Sequence, residues 1–434
     1  MSSFFKIITL IMLSLVINSC SKVEKNRDPI IEIFSPEHKQ QFSLPDTINI
    51  KFSVTYNYEI EYIRVSIVDK NMIPISDQEF IYTEDDANDY TIYLPISILP
   101  QNVSVPPYYV QVTISSFSQI NHTYQEISLL NSEVKYKGCF LIGNTGINTL
   151  SIAYFNDQYR KIYSTELSGN YLGSDISIDA NLLYLITNTP DRIRAIDSDN
   201  GEVAWIKEPQ LPYPEFNKIL VNNNIVYLST NIGRIIGLTA DNGIQIFNTP
   251  ILADSTPYNL CITEDYLIAD TRLRNSGSTI WATYYKQTGN KYQIFPTNYE
   301  TLAIYSLESK NRIVAFCNNN STGQIISFNV KTNNIENSLI VTNIEIQQSY
   351  KIDENNFLFS SENKLFHFDQ QNQSYAKILE TEDIIYDLKF DFINSYLFVT
   401  QSNKTEIYSY PGLINIETIE TLYQIENVEL LYSY

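Results

Sequence analysis

The chain has 434 residues, 29 basic against 49 acidic, and a formal net charge of −20. A field of that sign repels nucleic-acid phosphate and anionic headgroups, which argues against both as direct partners. Hydrophobic residues, the 33 tyrosines among them, make up 44%; at this length one core is too few, and at least two domains are expected.

In chain order, Met1-Ser2-Ser3-Phe4-Phe5-Lys6, an apolar run over 7–17 and Asn18-Ser19-Cys20 supply the charged, apolar and small-residue parts of a secretory signal, with cleavage before Cys20. An eleven-residue run reaches roughly 16 Å at about 1.5 Å per residue, about half of a bilayer core, so a spanning helix does not fit. The pattern reads as a bacterial lipoprotein signal over 1–19 with lipid on Cys20. Acyl chains anchor because each buried methylene contributes about 0.8 kcal/mol. Residues 20–28 have mixed charge and little apolar content, the composition of a flexible tether. The expected location is the cell envelope, lipid-anchored at the outer membrane, with surface and periplasmic orientations both open. The expected membrane contact is through Cys20.

With Cys20 acylated, Cys139, Cys261 and Cys317 remain. An odd number in apolar runs implies packing rather than a disulfide framework. His38, His122 and His367 are scattered singly and do not suggest a histidine-built metal site.

Residues 29–135 are strand-and-turn chemistry: Ile, Val, Tyr, Phe and Thr in short runs divided by Asn, Asp, Gly, Pro and Ser. Seven runs are expected as strands: 30–34, 47–56, 59–68, 78–82, 90–94, 108–117 and 123–130. Alternation in Ile48-Asn49-Ile50-Lys51-Phe52-Ser53-Val54 is that of a half-buried sheet face, and the count predicts a sandwich of immunoglobulin type. Glu84, Asp85, Asp86 and Asp89 cluster oxygen donors on one loop, and calcium is the cation such a loop suits; no other cofactor is expected.

Residues 136–434 carry a repeat. Alternating apolar runs begin near Ser174, Asn217, Pro257, Glu300, Ile346, Ile385 and Asn427, at intervals of 39 to 46 residues, with three further strand candidates in each interval. About 40 to 45 residues and four strands per unit is the β-propeller period. The segment opens with three strands near Cys139, Thr149 and Lys161 and closes on one unpartnered run, 428–434. One plus three completes a unit, so the expected fold is all-β: a sandwich, then a seven-bladed propeller closed by the C-terminal strand.

Pro29-Ile30-Ile31-Glu32-Ile33-Phe34-Ser35-Pro36, followed by Asp46-Thr47-Ile48-Asn49-Ile50, resembles the opening strands of immunoglobulin-like modules in Bacteroidetes surface lipoproteins, where such a module serves as a spacer. Ala195-Ile196-Asp197-Ser198-Asp199-Asn200-Gly201 through Trp205, and Gly237-Leu238-Thr239-Ala240-Asp241-Asn242-Gly243 through Phe247, resemble repeats of pyrroloquinoline-quinone-type propellers. Phe328-Asn329-Val330-Lys331-Thr332-Asn333 is a faded copy. The glycines turn hairpins, and the closing aromatic is expected to pack between blades. The likeness covers the scaffold; Trp205 and Trp281 stand outside any quinone-stacking context.

No Gly-x-Ser-x-Gly, His-Glu-x-x-His or phosphate loop occurs. In a propeller the links from the outermost strand of one blade to the innermost of the next gather on one face, and here they hold Tyr171, Tyr213, Phe216, Tyr258, Tyr299 and Tyr423. Such rings stack on sugars or grip a peptide. The expected function is a lipid-anchored binding or scaffold protein for a protein or glycan ligand, as in accessory lipoproteins beside nutrient-uptake machinery. The alternative is a propeller glycan hydrolase or lyase.

Overall fold

The computed structural model of the chain describes residues 29–55, 60–76, 78–82, 89–96, 106–116, 120–209, 215–307 and 311–434. The chain divides into two compact units, one through Glu133 and one from Val134 to Tyr434.

The N-terminal unit holds eight strands among its described residues: β1 (Ile30–Ser35), β2 (Gln41–Leu44), β3 (Asp46–Thr55), β4 (Tyr62–Val68), β5 (Glu79–Ile81), β6 (Asp89–Ile96), β7 (Tyr108–Ser115) and β8 (Ile120–Asn131). They form one sheet in the order β1-β3-β6 and another in the order β2-β8-β7-β4-β5. Ile48, Ile50, Phe52 and Val54 on β3 are buried against Ile63, Val65 and Ile67 on β4 and Val110, Val112 and Ile114 on β7. Alternation therefore does what period-two patterning dictates, closing one apolar core between two sheets. The strand absent from the sequence reading is β2. It is four residues long, and it lies parallel to β8 with Phe42 opposite Leu129, a pairing with no local signature.

The C-terminal unit begins with β9 (Lys135–Gly146), β10 (Thr149–Asn156) and β11 (Lys161–Ser168). Then come β12 (Asn170–Ser177), β13 (Leu182–Asn188), β14 (Arg192–Asp197), β15 (Val203–Lys207), β16 (Phe216–Asn222), β17 (Ile225–Thr230), β18 (Ile235–Thr239) and β19 (Gln245–Asn248). They are followed by β20 (Ser255–Ile262), β21 (Tyr266–Leu273), β22 (Thr279–Tyr285), β23 (Lys291–Thr297), β24 (Glu300–Leu307), β25 (Arg312–Asn319), β26 (Thr322–Asn329) and β27 (Asn334–Val341). The last are β28 (Gln348–Lys351), β29 (Asn356–Ser361), β30 (Lys364–Asp369), β31 (Ser374–Glu380), β32 (Asp387–Asp391), β33 (Tyr396–Thr400), β34 (Lys404–Ser409), β35 (Asn415–Glu420) and β36 (Gln424–Ser433).

Among the described residues these make seven four-stranded antiparallel sheets, a β-propeller-like all-β arrangement. Six are consecutive meanders from β12 to β35. The seventh has the order β11-β10-β9-β36, so the last strand pairs with the first, Gln424 opposite Asn144 through Ser433 opposite Lys135. The first strands β12, β16, β20, β24, β28 and β32 touch in that order, and β36 touches both β32 and β12. The series of neighbours returns to its start.

Neighbouring sheets interlock through one recurring device. An aromatic on the outermost strand of a sheet docks on the last turn of the next. Tyr163 donates to Ser198 O (2.9 Å) and Trp205 Nε1 to Ala240 O (3.0 Å); Tyr292 donates to Lys331 O (3.1 Å). A Cβ on Gly201 would stand 2.5 Å from the Tyr163 ring and one on Gly243 2.9 Å from Trp205. Both glycines hold positive φ, 76° and 68°, so they close the turn and clear room for the ring.

Candidate functional site

Two places in the C-terminal unit gather polar side chains from several strands: the bore enclosed by the first strands, and a pocket at the turn-bearing rim of the β20–β23 sheet.

The bore holds a cavity of about 300 Å³ whose lining includes Tyr171, Lys218, Asn259, Tyr305, Lys389 and Glu429. Its wall is tied sideways, strand to strand. Asp175 Oδ2 on β12 accepts from Val221 N on β16 (2.6 Å), and Asn259 Nδ2 on β20 donates to Thr301 O on β24 (2.9 Å). Tyr305 on β24 donates to Ser349 O on β28 (2.6 Å), and Tyr350 on β28 lies beside the Phe390 N–H on β32 without a hydrogen bond of good geometry. Asp387 Oδ2 on β32 accepts from Val428 N on β36 (2.9 Å). Ser174 on β12 donates to Glu429 Oε1 on β36 (2.7 Å) and receives Asn427 Nδ2 (2.6 Å).

Enclosure governs the charges here. Burial, then the Glu429 charge, raises Asp175 to about 7, and burial raises Asp387 to about 6 although Lys389 opposes it. Burial works against the Lys389 ammonium, but Glu429, with which it pairs at 3.2 Å, and Asp387 outweigh that and hold it charged. Lys218 is reached by solvent in the bore, yet protein surrounds it. That enclosure and the neighbouring Lys389 charge lower its pKa.

At the rim, the β21–β22 turn and the β23–β24 link enclose about 430 Å³ bordered by Arg272, Thr279, Tyr299 and Glu300. Arg272 donates to Glu300 Oε1 (3.2 Å) and stacks on Tyr258, its guanidinium carbon 4.4 Å from the ring centroid. Beneath lies Asp270, fully buried, with no group in hydrogen-bonding geometry at either oxygen. Burial raises it to about 7, while Thr301, Arg272 and Asn259 nearby pull the other way.

Of the aromatics expected to share one face, Tyr258 lies under the Arg272 guanidinium and Tyr299 borders the rim pocket while packing against the neighbouring apolar core, whereas Tyr171 lies in the bore, its hydroxyl 3.0 Å from Ser174 Oγ. Tyr423 lies over Gly143, with its hydroxyl 3.4 Å from Leu141 O, and serves the seam between β9 and β36. Phe216 is a correction. At 2% exposure it belongs to the apolar core between the β12–β15 and β16–β19 sheets, because the link ends before it and it is already the first residue of β16. Tyr213 lies outside the described residues, as do Cys20, Glu84, Asp85 and Asp86. Asp89 opens β6 opposite Ser53. Among the described residues no group of three or more His, Cys, Asp and Glu side chains is placed to hold a metal ion. Cys139, Cys261 and Cys317 are buried and free, and burial pushes the first two thiols up to about 12.

Asp175, Lys218, Asp387, Lys389, Glu429, Asp270 and Arg272 escaped the sequence reading. For the bore the signal was present as charged residues within the first strand of four of the seven repeats: Ser174-Asp175, Asn217-Lys218, Asp387-Leu388-Lys389 and Asn427-Val428-Glu429.

No protein-family model matches the chain, and no curated protein matches it. Among solved structures it is similar to a chain of one titled "Crystal Structure of Mitotic Checkpoint Complex", at 11% identity and a TM-score of 0.48 over 58% of this chain and 80% of that one. It is also similar to the computationally designed Ika8 protein, at 11% identity and a TM-score of 0.46 over 69% and 91% of the respective chains.

Proposed function

We propose that this chain is a lipid-anchored cell-envelope binding protein, in which an immunoglobulin-like domain accompanies a seven-bladed propeller that recognises a glycan or protein ligand. Supporting the propeller reading are the seven four-stranded sheets and the return of β36 onto β9. Supporting the immunoglobulin-like reading is the pair of sheets β1-β3-β6 and β2-β8-β7-β4-β5 with β2 parallel to β8. The lipid anchor rests on the sequence around Cys20, and calcium at Glu84, Asp85, Asp86 and Asp89 remains part of the proposal.

The observation that carries recognition is the rim pocket, where Tyr299, Glu300 and Arg272, the last stacked on Tyr258, border an open space of about 430 Å³. Ring faces supply apolar stacking, and the guanidinium and carboxylate supply directional hydrogen bonds, the combination that orients a sugar or a peptide turn. Glu300 is the one carboxylate among the described residues lining it, whereas glycoside hydrolysis uses two.

The test is a glycan and peptide array probed with the purified protein, with product analysis of every hit. Binding without turnover that Tyr299→Ala weakens at least tenfold is expected; new reducing ends or unsaturated products would establish the hydrolase or lyase alternative. Intact-mass measurement of detergent-extracted protein tests the lipid, and protease shaving of whole cells tests which way the protein faces.

A further inference from the structure

Five of the seven junctions between neighbouring first strands are bridged by a side-chain hydrogen bond: β12–β16, β20–β24, β24–β28, β32–β36 and β36–β12. Of the two left without one among the described residues, β28–β32 still brings Tyr350 beside the Phe390 N–H; the other is β16–β20. At that break stands Lys218. Its ammonium makes no ion pair and no hydrogen bond among the described residues, and it borders the cavity together with Asn259 of β20.

The acceptors around it are committed elsewhere. Asp175 takes the N–H groups of Ile176 and Val221. Asp387 takes that of Val428, and Glu429 takes Ser174, Asn427 and Lys389. The tyrosines at the wall donate to, or lie against, wall oxygens. What the cavity has left over is donor capacity, three ammonium protons on Lys218, with the Lys389 cation and the Asp387 carboxylate both close enough to be felt there.

We propose that the bore is a binding site for a small oxyanion, a carboxylate or a phosphate, seated between Lys218 and Asn259 and closing the β16–β20 junction that the chain itself leaves open. A volume of about 300 Å³ admits a small molecule and no polymer. The occupant would hydrogen-bond to Lys218 directly and draw on Lys389 at longer range. By bridging two strands it would stabilise the folded unit by mass action.

Acid should favour it. The titratable groups facing Lys218 are Tyr171 and Asp175 on β12, Tyr305 on β24, Tyr350 on β28, Asp387 and Lys389 on β32, and Glu429 on β36; β20 contributes the neutral Asn259. Asp175 and Asp387, raised to about 7 and about 6, lose charge as pH falls through that range. Their neutralisation removes repulsion from the anion.

The experiment is thermal unfolding and titration calorimetry of the full chain with inorganic phosphate, acetate and malonate. Ionic strength is held fixed with chloride, and runs are made at pH 6 and pH 8. A concentration-dependent rise in Tm is expected, with at least threefold tighter binding at pH 6. Lys218→Met should weaken it at least tenfold, and Lys218→Arg should stay within about threefold. Phosphate alone as the active probe assigns a phosphate ligand; acetate or malonate alone assigns a carboxylate. No shift with any of the three, or unchanged affinity in Lys218→Met, overturns the proposal. If Lys218→Met does not fold, retention in Lys218→Arg with tightening on acidification sustains it, and binding indifferent to pH overturns it.

Discussion

The two units place their polar residues differently. In the N-terminal unit the apolar side chains of both sheets face one common core, and polar groups lie on the outward faces. In the C-terminal unit apolar residues form a series of clusters, most of them joining neighbouring sheets, such as Tyr184 with Val226 and Leu228, or Val314 with Phe357. The innermost wall is polar and bonded sideways. A single shared core is a local product of a little over a hundred residues. A ring of clusters depends instead on every junction, including one between strands almost 290 positions apart. Robustness in the second unit is therefore only as good as its seam.

Ending the chain after Thr421 is the largest break that comparison allows. It removes Ile425, Val428, Leu430, Leu431 and Tyr432, all buried. At about 1.5–3 kcal/mol for each fully buried side chain, the loss is on the order of 10 kcal/mol, the size of a whole domain's stability. The C-terminal unit should lose its cooperative transition in calorimetry. Limited proteolysis should leave a resistant fragment ending near Glu133.

Asp270→Asn comes next. Asp270 rises from 3.8 to about 7 in the folded state, so the native protein binds the proton more tightly than the unfolded chain. Its contribution is present below about pH 4 and is lost as pH climbs toward 7, by at most on the order of 4 kcal/mol. Urea midpoints measured from pH 4 to pH 8 should fall with pH in the parent and fall less steeply in the variant. The variant should be the more stable of the two at pH 8.

What was readable in the chain before its structure follows the same division. Alternation such as Ile48 to Val54 and the Asn-Gly turns at Gly201 and Gly243 are local, and the sheets and turns stand where those signals put them. The seam was inferable from strand count because three strands near Cys139 lacked a fourth. Three features were hidden for physical reasons. The strand β2 pairs in parallel with a partner more than 80 residues away, so nothing nearby announces it. The first strands β12, β16, β20, β24 and β36 carry a bulge near their start, as between Phe216 and Lys218, and a bulge shifts which side chain faces inward. The bore charges are spaced by whole repeats, each reading alone as a solvated residue, and only the stacking of sheets brings them together.

Gly143→Ala probes the seam without shortening the chain. A Cβ there would lie 2.1 Å from Gln424 O and 2.6 Å from the Tyr423 ring, so β36 or the ring must move. A cost of about 2–3 kcal/mol is expected, as for overpacking elsewhere. Gly146→Ala on the same strand is the control, since its Cβ meets only Thr149 Oγ1 at 4.0 Å. The first should lower the Tm of the C-terminal transition alone, and the second should leave both transitions in place. Equal effects would mean that the seam is no more critical than any other strand pair.

The smallest effect belongs to Arg272→Lys at the rim. Lysine keeps the charge near Glu300 but loses the flat face that lies 4.4 Å from the Tyr258 centroid and the planar fork that meets a carboxylate. Because the pair is partly solvated, the stability change should stay under about 1 kcal/mol. Ligand affinity at the rim pocket should fall by a larger factor than that stability change implies, since only the guanidinium can stack and donate two parallel hydrogen bonds at once. Equal losses in stability and affinity would mark Arg272 as a brace for Tyr258, and recognition would then have to be sought away from this rim.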